Sequence, residues 1–121
     1  MSAGRILVVD DEGAIREVVR RILTRAGYEV IAASGGEEAL TLLADRDQQV
    51  DLLLTDVIMP GMSGKELAER FASLRVGARV LYMSGYTDRL IGLDEVDALI
   101  EKPFNGDGLL DAVARALESA H

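Results

Sequence analysis

Short apolar runs alternate with helix-spaced segments five times along this chain. The first run, Arg5-Ile6-Leu7-Val8-Val9, is almost continuously apolar, which suits a strand buried on both faces. Ile15, Val18, Val19, Ile22 and Leu23 then recur at the spacing of one helical face, and Gly27 stops that helix. A second strand is predicted over Glu29 to Ala33. Ser34-Gly35-Gly36-Glu37 has the spacing of a capping box and precedes a helix presenting Leu40 and Leu43. A third strand is predicted over Val50 to Thr55. Ser63 and Glu66 repeat the box spacing before a helix with Leu67, Phe71 and Leu74. Arg79 to Met83 reads as a fourth strand and Thr87 to Glu95 as a weak helix interrupted by Gly92. Asp97 to Ile100 reads as a fifth strand, and a last helix presents Leu109, Leu110, Val113 and Leu117.

Strands this apolar need cover on both faces, so the pattern predicts an α/β domain with a parallel sheet between helical layers. Right-handed crossovers make such a domain doubly wound, and its ligands bind beyond the carboxyl ends of the strands. The 121 residues suffice for one domain with a real core and are too few for two. With only 4% aromatic residues, that core must be built from Leu, Val, Ile and Ala. The absence of cysteine excludes disulfides and thiolate sites and fits a reducing compartment, and no run approaches the roughly 20 apolar residues of a membrane helix. A cytoplasmic protein without a signal peptide is the expectation. A net charge of −8 argues against direct nucleic-acid binding and suits a protein that docks on basic or mixed surfaces, although it also serves plain solubility. The lone His121 ends the chain and is no basis for a zinc site.

The chemistry-bearing residues fall at the predicted strand ends. Asp10, Asp11 and Glu12 follow the first strand, Asp56 follows the third, Ser84 the fourth and Lys102 the fifth. The three acids after the first strand would also serve as helix-capping residues, Asp56 as an ordinary polar terminus, Ser84 as a backbone-bonding hydroxyl and Lys102 as a solvated surface cation. Pro60, Gly61 and Gly64 set a tight turn beside Asp56, which favours a functional reading there. An aspartate can attack phosphorus to give an acyl phosphate. Carboxylates ~4 Å apart repel by ~4 kcal/mol at an effective dielectric of ~20, so such a cluster needs a cation. Mg²⁺ fits, taking oxygen ligands and retaining water. Asp11 and Asp56 are the expected direct ligands, the Ile58 backbone carbonyl a third, and Asp10 a ligand through water, with Glu12 a further candidate of that kind. An ammonium from Lys102 at the same rim would stabilise charge on a transferring phosphoryl group, and the Lys102–Pro103 bond is a candidate for the cis form.

Asp10-Asp11, then Thr55-Asp56 with Met59-Pro60 and Gly64, then Ser84-Gly85, then Lys102-Pro103-Phe104, resembles a response-regulator receiver domain over Arg5 to Ala116. The resemblance implies a flavodoxin-like (βα)5 sandwich with strand order 2-1-3-4-5, forming a single domain over residues 1–121 with its core at about 5–118. It implies a phosphoacceptor role for Asp56, an acidic pair in Asp10 and Asp11, a switch hydroxyl in Ser84 and a phosphate-facing Lys102. It also implies a two-component or phosphorelay function in which a histidine kinase or phosphotransfer domain donates the phosphoryl group and an output domain or protein responds. The domain would be regulatory rather than an enzyme, catalysing its own phosphorylation and dephosphorylation, and a monomer or weak phosphorylation-dependent dimer. The wording Leu81-Tyr82-Met83-Ser84-Gly85-Tyr86-Thr87-Asp88 with Glu101-Lys102-Pro103-Phe104 is similar to receivers of hybrid sensor histidine kinases. Two features depart from the family. Leu99 stands where Tyr or Phe often acts as a rotamer switch, and the stretch from Ser84 to Lys102 is short by about one helical turn, ~3.6 residues.

Two other classes compete with this reading, a receiver-like binding module that does not use phosphate and an aspartyl-phosphate phosphatase. Phosphatases of the haloacid-dehalogenase kind want D-x-D after the first strand, where this chain has Asp10-Asp11-Glu12. Gly61-Met62-Ser63-Gly64-Lys65-Glu66 is too short for a phosphate loop. Ser84-Gly85 lacks the upstream Gly of a nucleophile elbow, since Tyr82 stands there. The acids do not follow EF-hand spacing.

Overall fold

The computed structural model describes residues 4–77, 79–85 and 98–118, in which five strands and four helices follow one another. They are β1 (Arg5–Val9), α1 (Gly13–Arg25), β2 (Glu29–Ala33), α2 (Gly36–Leu43), β3 (Leu52–Asp56), α3 (Gly64–Leu74), β4 (Val80–Ser84), β5 (Leu99–Glu101) and α4 (Gly106–Glu118). The strands form one parallel sheet in the order β2-β1-β3-β4-β5. The expected doubly wound α/β sandwich and its strand order are both present. The weak helix expected over Thr87 to Glu95 lies outside the described residues, as does Asp97.

Side chains alternate across a strand, so one sheet feeds two cores. Leu7, Val9 and Leu53 pack with Ala39, Leu43, Leu67 and Phe71 beneath α2 and α3. Ile6, Val8, Leu52, Leu54, Leu81 and Met83 pack with Val19, Leu23, Leu109 and Val113 beneath α1 and α4. Each fully buried Leu, Ile or Phe contributes roughly 1.5–3 kcal/mol. The central strands β1 and β3 are therefore apolar on both faces, whereas β2, at an edge, exposes Glu29 and Ala32.

Two local expectations are corrected. The third strand runs from Leu52 to Asp56 rather than from Val50 to Thr55, and at its end Asp56 pairs with Met83 and the Val57 N–H donates to the Met83 carbonyl at 3.1 Å. The capping box at Ser34–Glu37 does not form. Gly35 is the N-cap of α2, no side chain caps it, and the Ser34 hydroxyl donates to Glu38 Oε2 at 2.8 Å instead. The helix starts where Gly36 passes Met62, whose Sδ would lie 2.6 Å from any Cβ at that position. At the second box Ser63 caps α3, its hydroxyl accepting from the Glu66 N–H at 3.1 Å. Gly27 adopts a φ of +98° just past α1, the left-handed conformation that glycine allows without strain. The Lys102–Pro103 bond is cis.

Candidate functional site

Register brings the acids together. Val9 lies opposite Thr55 across the β1–β3 pair, and Asp10 and Asp56 are the next residues on each strand. Both continue the face of Ile6 and Val8, and of Leu52 and Leu54, that turns toward α1 and α4. Asp10 is fully buried and Asp56 is 5% exposed, whereas Asp11 is exposed. Aspartates are almost never buried without partners. Lys102 is such a partner. It follows β5, where its N–H donates to the Ser84 carbonyl at 2.8 Å. Its Nζ lies 3.2 Å from Asp56 Oδ2 and 3.3 Å from Asp10 Oδ2. Burial by itself would lower the Lys102 pKa. The charges of Asp56 and then of Asp10 outweigh that, and the pKa is raised above the ordinary lysine value.

Asp10, Asp11 and Asp56 each offer a carboxylate oxygen within 4.8 Å of the others. One ammonium beside three carboxyl groups makes a cluster of hard oxygen donors. That donor set fits a hard divalent cation such as Mg²⁺ and does not fit a thiophilic metal. Ile58 follows two residues after Asp56, with its side chain 47% exposed. Glu12 is the N-cap of α1 and makes no side-chain cap, so capping does not account for it. Its N–H donates to Asp10 Oδ1 at 2.9 Å.

Ser84 closes β4, one residue beyond the register partner of Asp56. It is fully buried, and its Oγ has no hydrogen-bond partner among the described residues. No backbone group among the described residues bonds to this hydroxyl. The neighbouring Thr55 is satisfied, its hydroxyl donating to the Asp56 carbonyl at 3.0 Å. Tyr86 lies outside the described residues. Arg16, on α1, escaped the motif reading although its guanidinium contacts Asp10. Its one sequence signal is a cation in the first turn of a helix, where the macrodipole disfavours it.

Residues 6–114 match the family described as the response regulator receiver domain. This chain belongs to that family. The receiver is 33% identical over 117 residues to sporulation initiation phosphotransferase F of Bacillus subtilis, covering 93% of each chain. It is similar in structure to the receiver domain of the hybrid histidine kinase CckA, at a TM-score of 0.81 and 35% identity, covering 94% of this chain and 99% of that one. It is also similar to the response regulator TrrA of Thermotoga maritima, solved in complex with Mg²⁺ and BeF, at a TM-score of 0.81 and 36% identity, covering 96% and 99%. Other curated relatives are longer, and the chain spans 52% of one and 25% of another. No helix among the described residues is long and apolar enough to cross a membrane. The receiver is thus a regulatory domain of two-component signalling, and its aspartate cluster is consistent with a phosphoacceptor site.

Proposed function

We propose that Asp56 is the phosphoacceptor. One observation carries this: Asp56 is the acid that shares both the three-carboxylate cluster and the Lys102 contact while ending the central strand β3. A carboxylate oxygen of Asp56 attacks the phosphorus of a phosphohistidine on a histidine kinase or phosphotransfer domain. The new P–O bond forms as the P–N bond breaks, and its electron pair leaves on the imidazole nitrogen. Lys102, already facing the attacking carboxylate, takes up charge developing on the phosphoryl oxygens. Asp11, Asp56 and the Ile58 carbonyl would hold Mg²⁺ directly and Asp10 through water; when bound, it supplies further positive charge there. The buried Ser84 hydroxyl, which has no partner among the described residues, then donates to a phosphoryl oxygen, and the new bond biases an equilibrium between loop states.

On this reading residues 1–121 act as one cytoplasmic receiver unit that catalyses its own phosphorylation and dephosphorylation. The similarity to the CckA receiver supports a parent of the hybrid-kinase kind, and an output domain or protein would read the modified state. The unit works as a monomer or a weak phosphorylation-dependent dimer. Acetyl phosphate with Mg²⁺, followed by intact mass, tests the core of it. One added phosphoryl group in the wild type and none in Asp56→Asn is the expected result. An unlabelled wild type would instead favour a binding module that does not use phosphate. Sustained turnover of a small phosphate ester would favour a phosphatase.

A further inference from the structure

Arg16 is the fourth residue of α1. Helical side chains lean toward the N-terminus of their own helix, and this one does. Its Nη1 donates to the main-chain carbonyl of Asp10 at 2.6 Å, and its Nη2 lies 3.4 Å from where a Cβ on Gly13 would stand. A guanidinium there opposes the helix dipole, and no acidic side chain in the first turn of α1 offsets it. What it grips accounts for the placement.

Asp10 is fixed at four points. Its N–H donates to the Ala33 carbonyl at 3.3 Å, its carbonyl accepts from Arg16, its Oδ1 accepts from the Glu12 N–H, and its Oδ2 faces Lys102. Three of these bonds fix the amide and the carboxylate. The Arg16 bond fixes the peptide that leads from buried Asp10 to exposed Asp11. That peptide sets where the Asp11 carboxylate stands relative to the other two.

We propose that Arg16 is a positioning residue for the acidic cluster, holding the Asp10–Asp11 peptide so that all three carboxylates converge on one cation. The proposal rests on the Mg²⁺ reading above. Its two conceivable effects have opposite signs. A bare positive charge near three carboxylates weakens cation binding, so removing it would tighten Mg²⁺. A positioning group aims the ligands, so removing it would loosen the turn and weaken Mg²⁺. Groups that orient metal ligands change affinity by about 10–100-fold when lost, and a charge partly screened by water and salt changes it less.

The experiment titrates Mg²⁺ alone into the full chain and follows backbone amide shifts by NMR. It compares wild type with Arg16→Ala, Arg16→Met and Arg16→Lys, and also measures metal-free thermal unfolding and hydrogen exchange at the Glu12 amide. Met keeps an aliphatic stem over Gly13, so it serves if Ala fails to fold. Ala and Met are expected to weaken Mg²⁺ about tenfold or more and to speed Glu12 exchange without Mg²⁺. Lys keeps a charge and a donor and is expected to recover part of both. Unchanged or tighter Mg²⁺ binding in the Met variant overturns the proposal, as does a Lys variant that binds more weakly than Met. A wild type with no Mg²⁺ response defeats the metal reading itself, whereas equal responses in wild type and Met defeat only the role of Arg16.

Discussion

Gly64 packs so closely against the main chain of Asp56 that a Cβ on it would overlap the Asp56 carbonyl oxygen. The same glycine donates its N–H to the Val57 carbonyl at 2.8 Å, so α3 begins directly against the strand end that carries the proposed nucleophile. Both obstacles are backbone and cannot swing aside. Gly64→Ala is expected to cost about 1–3 kcal/mol, the usual range for forced overpacking, and to lower acetyl phosphate labelling by displacing the loop after Asp56. Urea unfolding with an unchanged midpoint would refute this account of the turn.

Asp56 and Asp10 share one lysine, and Asp11 adds a third carboxylate. Neutralising one acid should therefore stabilise the metal-free protein. Two carboxylates ~4 Å apart repel by ~4 kcal/mol at an effective dielectric of ~20, and Lys102 offsets much of that. Asp56→Asn is expected to raise stability by about 1–2 kcal/mol without Mg²⁺. Added Mg²⁺ should narrow the gap by stabilising the wild type more. Denaturant titrations with and without Mg²⁺ check both statements, and a less stable Asp56→Asn protein would contradict the charge argument.

Ser84 has a buried hydroxyl without a partner among the described residues. Removing an unsatisfied buried polar atom relieves a desolvation cost of about 1–3 kcal/mol, against the loss of a few packing contacts. Ser84→Ala is expected to leave the unmodified protein as stable as wild type or up to about 1 kcal/mol more so. The cost should appear only in the modified state, as a smaller stabilisation by beryllofluoride with Mg²⁺. Calorimetry of both proteins with and without the analogue separates the two states. Equal stabilisation of both by the analogue would remove Ser84 from the switch.

Glu17 reports on the outer surface of α1. Hydrogen bonds from Arg20, at 2.6 and 3.0 Å, are the main reason its pKa falls from 4.5 to about 2; desolvation works against them, and a hydrogen bond from Arg21 and the charges of both arginines add to them. The folded value lies below the unfolded one, so this contribution to stability is present above about pH 4.5 and is lost as pH falls toward 2. The group is solvent-exposed, so salt should weaken the effect. An NMR titration of the Glu17 carboxyl is expected to show a depressed midpoint that rises in Arg20→Ala and in high salt. A midpoint insensitive to both would mean that the ion pair does not persist in solution.

Apolar periodicity pointed to the strands and to helical layers on both sides of a parallel sheet, because strands apolar on both faces need cover on both, whereas the strand order came with the family resemblance. Punctuation residues also placed Asp56, Ser84 and Lys102 at strand ends, since Gly and Pro constrain the chain locally. The capping box at Ser34 misled, because the Ser34 hydroxyl turns to Glu38 while Gly36 packs against Met62, 26 positions away in the chain. Which of two adjacent acids would be buried was not legible either. β1 is apolar on both faces, and only the packing of α1 and α4 made the Asp10 side the inner one. The meeting of Lys102 with Asp10 spans 92 residues, and the grip of Arg16 on a main-chain carbonyl leaves no side-chain signature at its partner. Local spacing encodes neighbours along the chain, whereas a parallel sheet assembles its site from residues that only register and crossover packing bring within reach.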